Sequence, residues 1–272
     1  MKYVLVIGDG MADNRLPQLA NHTPLEVLAL NSFDRCAGCF AGRALTVPHG
    51  MTAESGAAML SLLGYPPQIF LSALTGGRAL PDFRQKHGHG GSMIAADKQV
   101  KTIAHLAGLK TPEVEGANGQ LDTHYEGKVA CALAALESGD DFAAVHIKAP
   151  DVMAHAGDLG GKLEAVQNVE YRVVMPLLNR LMGKGEDFRL LLICDHATLL
   201  STGTHGSGLV PYAVFDNRVV RRALDEGKEP PVRKYSEGEL ACEPVLMDGT
   251  DVIRVLFEQY GAASQPAQKE HP

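Results

Sequence analysis

The stretch that decides the fold is Tyr3-Val4-Leu5-Val6-Ile7, followed by Gly8-Asp9-Gly10. The first five residues are apolar and rich in β-branched side chains, which is typical of a buried strand. The glycines on either side of Asp9 end the run as a turn does. Asp9 is therefore predicted at the carboxyl end of a strand, although an Asp in this place more often only caps a helix.

Two later apolar runs end in the same way. Residues 145–150 lead to Asp151, and residues 190–194 lead to Asp195 and His196. In an open parallel α/β sheet, the carboxyl ends of the strands form the crevice where ligands bind. Three strand ends that carry acids therefore predict one site at a single edge of the sheet.

Seven residues at these strand ends or in nearby loops offer metal-ligating atoms: Asp9, Ser55, Asp151, His155, Asp195, His196 and His205. Carboxylate oxygens mixed with imidazole nitrogens suit Zn²⁺ or Mn²⁺, with Mg²⁺ and Co²⁺ as further candidates. A single loop histidine is more often hydrogen-bonded than ligating, but the whole set favours a metal site. Two divalent ions close together are typical of phosphoryl transfer.

Ser55 lies between a loop at residues 48–52 and a short apolar helix predicted at residues 57–63, which Gly64 ends. A serine there sits at a helix N-terminus, where free backbone N–H groups favour an anion or a developing alkoxide. Serine is also a common helix cap. Spacing alone leaves a cap and a nucleophile equally open.

Length and composition predict one α/β domain over residues 1–262. The chain has 272 residues, of which 45% are hydrophobic, enough to bury a large core. Short apolar strands alternate with helical stretches at residues 127–137 and 163–182, which favours a mainly parallel sheet with helices on both faces. The polar tail at residues 263–272 is predicted to be disordered.

Charge and cysteine content limit the partners. A net charge of −7 with no basic run argues against nucleic acid and acidic membranes, so a small molecule is the expected partner. The two-metal ligand pattern predicts that this molecule is phosphorylated, and a homo-oligomer stays open. No apolar stretch reaches the length of a membrane span. Five cysteines without a signal peptide predict reduced thiols and a cytoplasmic protein.

Three cations are candidates for binding phosphate near the site: Arg78, Lys86 and Lys148. For each of them a solvated surface charge is the default interpretation. His146 lies on the strand that leads to Asp151, where a hydrogen-bonded core histidine is the default. Neither interpretation gives these residues a role in the chemistry.

An ordered set of motifs resembles one protein family. The set opens with Gly8-Asp9-Gly10-Met11-Ala12-Asp13. Near its middle is Leu121-Asp122-Thr123-His124-Tyr125-Glu126-Gly127-Lys128. The remaining segments are residues 23–26, 46–51, 60–65, 116–119, 149–151, 155–158, 195–196 and 204–205. Together they resemble the cofactor-independent phosphoglycerate mutases of archaeal type, within the alkaline phosphatase superfamily.

The resemblance implies an alkaline-phosphatase-like core and a division of the seven residues between two metals. One metal would be held by Asp9, Ser55, Asp195 and His196, and the other by Asp151, His155 and His205. Ser55 would also be the catalytic nucleophile, carrying the phosphoryl group as phosphoserine. In the family this glycolytic isomerisation interconverts 3-phosphoglycerate and 2-phosphoglycerate, which requires a closed pocket.

The sequence departs from the family in two places beside the site. The family inserts a cap domain after the motif at residues 60–65, and this insert is predicted to be absent near residues 68–77. Gly56 and Met59 stand where the family usually has an acid and an Asn. Because water would then reach a phosphoserine, we expect a phosphomonoesterase.

Two alternatives remain open at this stage. One is a true phosphoglycerate mutase whose pocket is closed by residues 68–77 or by a partner subunit. The other is a non-catalytic remnant that binds metal or phosphate. A sulfatase is disfavoured, because residues 55–59 lack the Pro and the Arg that its modified nucleophile requires.

Overall fold

The computed structural model describes residues 1–76 and 79–258 of the chain. Arg78 and the predicted tail at residues 263–272 lie outside the described residues. The strands in the described part are β1 (Lys2–Gly8), β2 (Ala41–Ala44), β3 (Gly91–Ile94), β4 (Phe142–Ile147), β5 (Phe188–Ile193), β6 (Ala197–Leu199), β7 (Thr204–Gly206), β8 (Val210–Asp216) and β9 (Val245–Leu246).

The helices alternate with these strands along much of the chain. They are α1 (Pro24–Val27), α2 (Asn31–Cys39), α3 (Ser55–Leu62), α4 (Phe70–Leu74), α5 (Phe83–His87), α6 (Lys98–Leu106), α7 (Tyr125–Glu137), α8 (Ala149–His155), α9 (Leu159–Val169), α10 (Met175–Met182), α11 (Asn217–Asp225) and α12 (Val252–Phe257). Within the described residues, no helix has both the length and the apolar character needed to cross a membrane.

Seven strands form the main sheet in the order β3-β4-β1-β5-β8-β2-β9, and β6 pairs with β7 in a separate ribbon. Strand β8 pairs antiparallel with both of its neighbours, and the other pairings of the main sheet are parallel. The prediction of a mainly parallel α/β sheet flanked by helices is confirmed.

The three predicted acid-bearing strands are neighbours at the centre of the sheet. Strand β1 lies between β4 and β5, and residues 3–8 of β1 are buried. Burial on both faces explains why these strands read as continuous apolar runs rather than as alternating ones. Gly8 is level with Ile147, and Ile7 is level with Ile193, so the three strands end together.

All three predicted helices begin earlier than predicted, and α7 begins at Tyr125 rather than at residue 127. Helix α3 begins at Ser55 rather than at residue 57. The helix predicted at residues 163–182 begins earlier, at Leu159, and a π-helical turn over Glu170–Val174 separates α9 from α10. A π-helical turn inserts one extra residue into an otherwise regular helix. The sequence pattern over this region is continuous, so it does not reveal the turn.

Candidate metal centre

The even strand ends bring the predicted acids to one edge of the sheet. Asp9 directly follows β1, and Asp195 and His196 follow β5. Asp151 lies in the first turn of α8, which begins two residues after β4. Because the strands end at the same level, their following residues face one another across the edge.

The other three candidates come from elements above this edge. His155 is the last residue of α8, and Ser55 is the first residue of α3. His205 lies in β7, opposite Thr198 of β6. The structure thus brings all seven candidate side chains together.

Asp9, Asp195 and His196 form the first group, which we call the buried cluster. Their ligating atoms lie within 4.8 Å of one another, and none of the three side chains is more than about 1% exposed. His196 Nε2 lies 3.3 Å from Asp195 Oδ2 and 3.6 Å from Asp9 Oδ1. This geometry offers two carboxylates and one imidazole to a single ion.

Two oxygen atoms of the buried cluster show that a cation fits there. Asp9 Oδ1 and Asp195 Oδ2 are buried and have no hydrogen-bond partner among the described residues. Asp195 Oδ1, by contrast, accepts hydrogen bonds from the backbone N–H groups of Gly10 (3.1 Å) and His196 (2.9 Å). Buried carboxylate oxygens without partners are costly unless a cation neutralises them.

Asp151, His155 and His205 form the second group, which we call the rim cluster because His155 is exposed and His205 is half-buried. Both imidazole Nε2 atoms lie near Asp151 Oδ1, at 3.2 Å for His155 and 3.3 Å for His205. The two Nε2 atoms are 2.8 Å apart. Such a spacing again suits ligands of one ion.

Backbone carbonyls orient both rim histidines. The Nδ1 atom of His155 lies 2.7 Å from the carbonyl oxygen of Gly203, and the Nδ1 atom of His205 contacts the carbonyl oxygen of Ala53. A carbonyl only accepts, so the Nδ1 atom of each ring carries a proton and the Nε2 atom of each ring is turned inwards towards Asp151. Two imidazole Nε2 atoms 2.8 Å apart require a proton or a metal ion between them.

Lys148 lies between the two clusters. Its Nζ is 3.1 Å from Asp9 Oδ2, 3.2 Å from Asp151 Oδ2 and 3.6 Å from Asp97 Oδ2. Burial lowers the pKa of Lys148, but these carboxylates outweigh burial and raise it above its ordinary value. The default interpretation of Lys148 as a solvated surface charge is therefore wrong.

His146 also differs from its default interpretation. It is fully buried on β4, but neither ring nitrogen has a hydrogen-bond partner among the described residues. Its Nε2 lies 3.2 Å from Asp9 Oδ2 without hydrogen-bonding geometry. The register of β1 and β4 could have predicted both His146 and Lys148 beside Asp9. Ile7 is level with His146, and Asp9 and Lys148 each follow two residues later.

The pKa values of the buried cluster reflect its crowded charges. Burial, followed by the carboxylates of Asp9 and Asp151, raises the pKa of Asp195 well above its ordinary value. Burial raises the pKa of Asp9 too, but nearby histidines and Lys148 outweigh it and hold this pKa below the usual range. Burial lowers the pKa of His196 to about 4.

Ser55 connects the buried cluster to a cavity of about 440 Å³, which Lys148, Gln99 and the rim cluster also line. Ser55 Oγ lies 3.1 Å from His196 Nε2 and 3.5 Å from Asp9 Oδ2. The side chain of the preceding Glu54 does not cap helix α3. The first backbone N–H groups of this helix are thus left without a side-chain cap, as at other anion-binding helix termini.

Gly56 and Met59, where the resemblance implied a departure from the family pattern, are buried and apolar. A Cβ atom at Gly56 would lie 2.1 Å from Phe70 Cε2, so helix α3 packs closely against α4 at this point. Met59 belongs to the hydrophobic core. Neither position offers a polar group to the cavity.

Two curated relatives match about two thirds of the chain. A 2,3-bisphosphoglycerate-independent phosphoglycerate mutase from Methanothrix thermoacetophila is 36% identical over 179 residues, covering 66% of this chain and 44% of the relative. One from Methanosarcina mazei is 40% identical over 176 residues, covering 65% of this chain and 43% of the relative. The chain therefore spans less than half the length of these relatives.

Three solved structures share the fold at low sequence identity. The PH0037 protein from Pyrococcus horikoshii has a TM-score of 0.78 at 19% identity, with 96% of this chain and 99% of that chain covered. The cofactor-independent phosphoglycerate mutase from Thermoplasma acidophilum has a TM-score of 0.62 at 13% identity, covering 94% and 99%. An alkaline phosphatase from the Antarctic bacterium TAB5 has a TM-score of 0.52 at 8% identity, covering 94% and 96%.

These structures confirm the predicted alkaline-phosphatase-like core. A family model matches residues 1–243, a range that includes every residue of the two clusters. The chain belongs to the Metalloenzyme superfamily.

Proposed function

We propose that this chain is a metal-dependent phosphotransferase that uses Ser55 as its nucleophile and hydrolyses small phosphomonoesters. The observation that carries the proposal is the position of Ser55 Oγ, 3.1 Å from His196 Nε2 in the wall of the cavity. A serine at a helix N-terminus, beside two clusters of metal-ligating groups, combines a nucleophile with anion binding.

Two divalent ions, Zn²⁺ or Mn²⁺ by the chemistry of the donors, would occupy the two clusters. Asp9, Asp195, His196 and Ser55 would hold one ion, and Asp151, His155 and His205 the other. When bound, the ions would supply positive charge that favours the Ser55 alkoxide and stabilises the phosphoryl oxygens. The unpartnered oxygens of Asp9 and Asp195 support this occupancy.

The residues of the chain account for two displacements at phosphorus. In the first, Ser55 Oγ bonds to phosphorus and the bond to the alcohol of the substrate breaks. In the second, water bonds to phosphorus and the bond between phosphorus and Ser55 Oγ breaks, so that phosphate leaves and a proton from the water restores the hydroxyl group of Ser55. Lys148 lines the same cavity and remains protonated, so its ammonium group binds the phosphoryl oxygens throughout.

Hydrolysis rather than isomerisation is favoured by the short segment between Tyr65 and Phe83. Its described part contains a 3-10 turn at Pro67–Ile69 and helix α4, where the family resemblance implies an inserted cap. Without a cap, the cavity admits water and releases the alcohol after the first displacement. The apolar Gly56 and Met59 further favour a reaction other than the mutase reaction.

A true phosphoglycerate mutase is the second candidate, and the names of the relatives that are 36% and 40% identical favour it. Retention of glycerate would then require closure of the cavity by residues 68–77 or by a partner subunit. The two functions differ in their products, which makes them separable in one assay.

The test is an assay of the full chain, loaded with Zn²⁺ or Mn²⁺, on 3-phosphoglycerate and on an aryl phosphate. Free phosphate and 2-phosphoglycerate are followed together. We expect free phosphate from the wild type and none from Ser55→Ala. Ser61→Ala is the matched control, because Ser61 lies buried on the same helix and its Oγ has no partner in the described structure.

The other outcomes overturn the proposal. Formation of 2-phosphoglycerate without free phosphate would establish the mutase. Equal phosphate release by wild type and Ser55→Ala would exclude Ser55 as the nucleophile. A loaded wild type that forms neither product would favour a non-catalytic metal-binding protein.

A further inference from the structure

Thr198 lies at the junction of the two clusters, although nothing in its sequence context marks it. It is the central residue of β6, fully buried and opposite His205 in the ribbon. Its hydroxyl group lies 2.7 Å from Asp151 Oδ1, in the rim cluster. The same hydroxyl lies 3.3 Å from His196 Nδ1, in the buried cluster.

The chemistry of these partners fixes the direction of both hydrogen bonds. An ionised carboxylate only accepts, so the single hydroxyl proton of Thr198 is donated to Asp151. The hydroxyl oxygen must then accept from the Nδ1–H group of His196. This tautomer leaves the Nε2 lone pair of His196 directed at Asp195, at 3.3 Å, and at Ser55, at 3.1 Å.

The backbone of Thr198 is held from two further directions. Its N–H donates to the carbonyl oxygen of Ala12 at 3.2 Å, and its carbonyl accepts from the buried Lys162 Nζ at 2.6 Å. A Cβ atom at Gly10 would lie 2.5 Å from Thr198 Oγ1. Thr198 therefore has little freedom to turn its hydroxyl group elsewhere.

We propose that Thr198 is a positioning residue that couples the two clusters, selecting the ligating tautomer of His196 and orienting Asp151 with one hydroxyl group. The inference rests on the proposed two-metal function. Because one side chain orders a ligand in each cluster, an ion bound in one cluster favours binding in the other. Residues that orient ligands in this way typically change metal affinity by about 10- to 100-fold.

The test uses the full chain stripped of metal and titrated with Zn²⁺ in competition with a chromophoric chelator. Thr198→Val keeps the shape of the side chain and removes the hydroxyl group, whereas Thr198→Ser keeps the hydroxyl group. We expect two ions per wild-type chain, an affinity at least tenfold weaker at both clusters in Thr198→Val, and recovery in Thr198→Ser. Thermal unfolding of the metal-free variants checks that each one is folded.

A second measurement does not depend on any variant. The ¹⁵N shifts of His196 in the metal-free wild type identify the protonated ring nitrogen, and a proton on Nε2 would overturn the inference. Unchanged Zn²⁺ affinity in Thr198→Val, or a loss at one cluster alone, would overturn it as well. A wild-type chain that binds fewer than two ions would instead refute the two-metal function itself.

Discussion

The buried cluster and the rim cluster use similar ligands but are held in place by different means. Asp9, Asp195 and His196 lie within three residues of the ends of central strands, so the register of the sheet sets their positions. His155 and His205 are held by hydrogen bonds to backbone carbonyls of loops. A site that follows a rigid sheet keeps its geometry without a ligand, whereas histidines oriented by loop carbonyls are more easily rearranged.

This difference predicts that the two clusters differ in how tightly they bind their ions and how fast they exchange them. The buried cluster has unpartnered carboxylate oxygens and almost no exposure, so we expect it to bind its ion tightly and to exchange it slowly. The rim cluster lines the cavity, so its ion would exchange more readily and meet the substrate directly. The rings of His196 and His205 stack with centroids 3.9 Å apart, so the two clusters nevertheless adjoin.

The largest effect is expected from Asp195→Asn in the buried cluster. The change removes a charged ligand, and we expect phosphate release to fall by about 10³-fold or more. The metal-free variant should be more stable than the wild type by about 1–2 kcal/mol, because burial and the neighbouring carboxylates already disfavour the charge of Asp195. Phosphate release and denaturant unfolding of chelator-treated protein measure the two effects.

The matched variant in the rim cluster is His155→Ala. Because His155 is exposed, we expect a loss of about 10- to 100-fold, with partial recovery at high metal concentration. Equal and unrecoverable losses in both variants would contradict the proposed difference between the clusters.

The second prediction concerns the pH dependence of the free energy of unfolding of the metal-free protein, to which His196 and His205 contribute with opposite signs. Burial lowers the pKa of His196 from 6.5 to about 4, so the unfolded chain binds more protons between these values. The free energy of unfolding should therefore fall by about 3 kcal/mol as the pH drops from 6.5 to 4. His196→Gln should remove this component.

The hydrogen bond to Asp151 raises the pKa of His205, so its contribution has the other sign. Its stabilisation is complete below pH 6.5 and is lost as the pH rises through the raised value. Denaturant unfolding of His196→Gln and His205→Gln between pH 4 and about 8 measures both components. A change of the same sign in the two variants would contradict the assignment.

The sequence predicts the positions of the three strand-end acids more directly than those of the two rim histidines, for a physical reason. Continuous apolar runs mark β1, β4 and β5. The residues that follow such a strand are fixed at the carboxyl edge of the sheet. Strands β2 and β9, at one end of the main sheet, are short and carry no such pattern. They form because neighbouring strands offer hydrogen bonds, which a sequence pattern does not report.

Roles that depend on a single contact between distant segments escape sequence reasoning. From the sequence alone, Lys148 is interpreted as a surface cation and Thr198 as an ordinary strand residue. The register of β1 and β4 places Lys148 beside Asp9. Each acts across more than forty residues of chain, with Lys148 contacting Asp9 and Thr198 contacting Asp151. Only tertiary structure brings such pairs together.

The smallest effect is expected from Lys148→Met, which removes the ammonium group shared by the two clusters. This cation competes with divalent ions for Asp9 and Asp151, so we expect Zn²⁺ affinity to rise by roughly three- to tenfold. The KM for a phosphomonoester should rise as well, because the cavity loses its cation. Lys148→Arg keeps the charge and is the control, and an unchanged Zn²⁺ affinity in Lys148→Met would show that the ammonium group does not link the clusters.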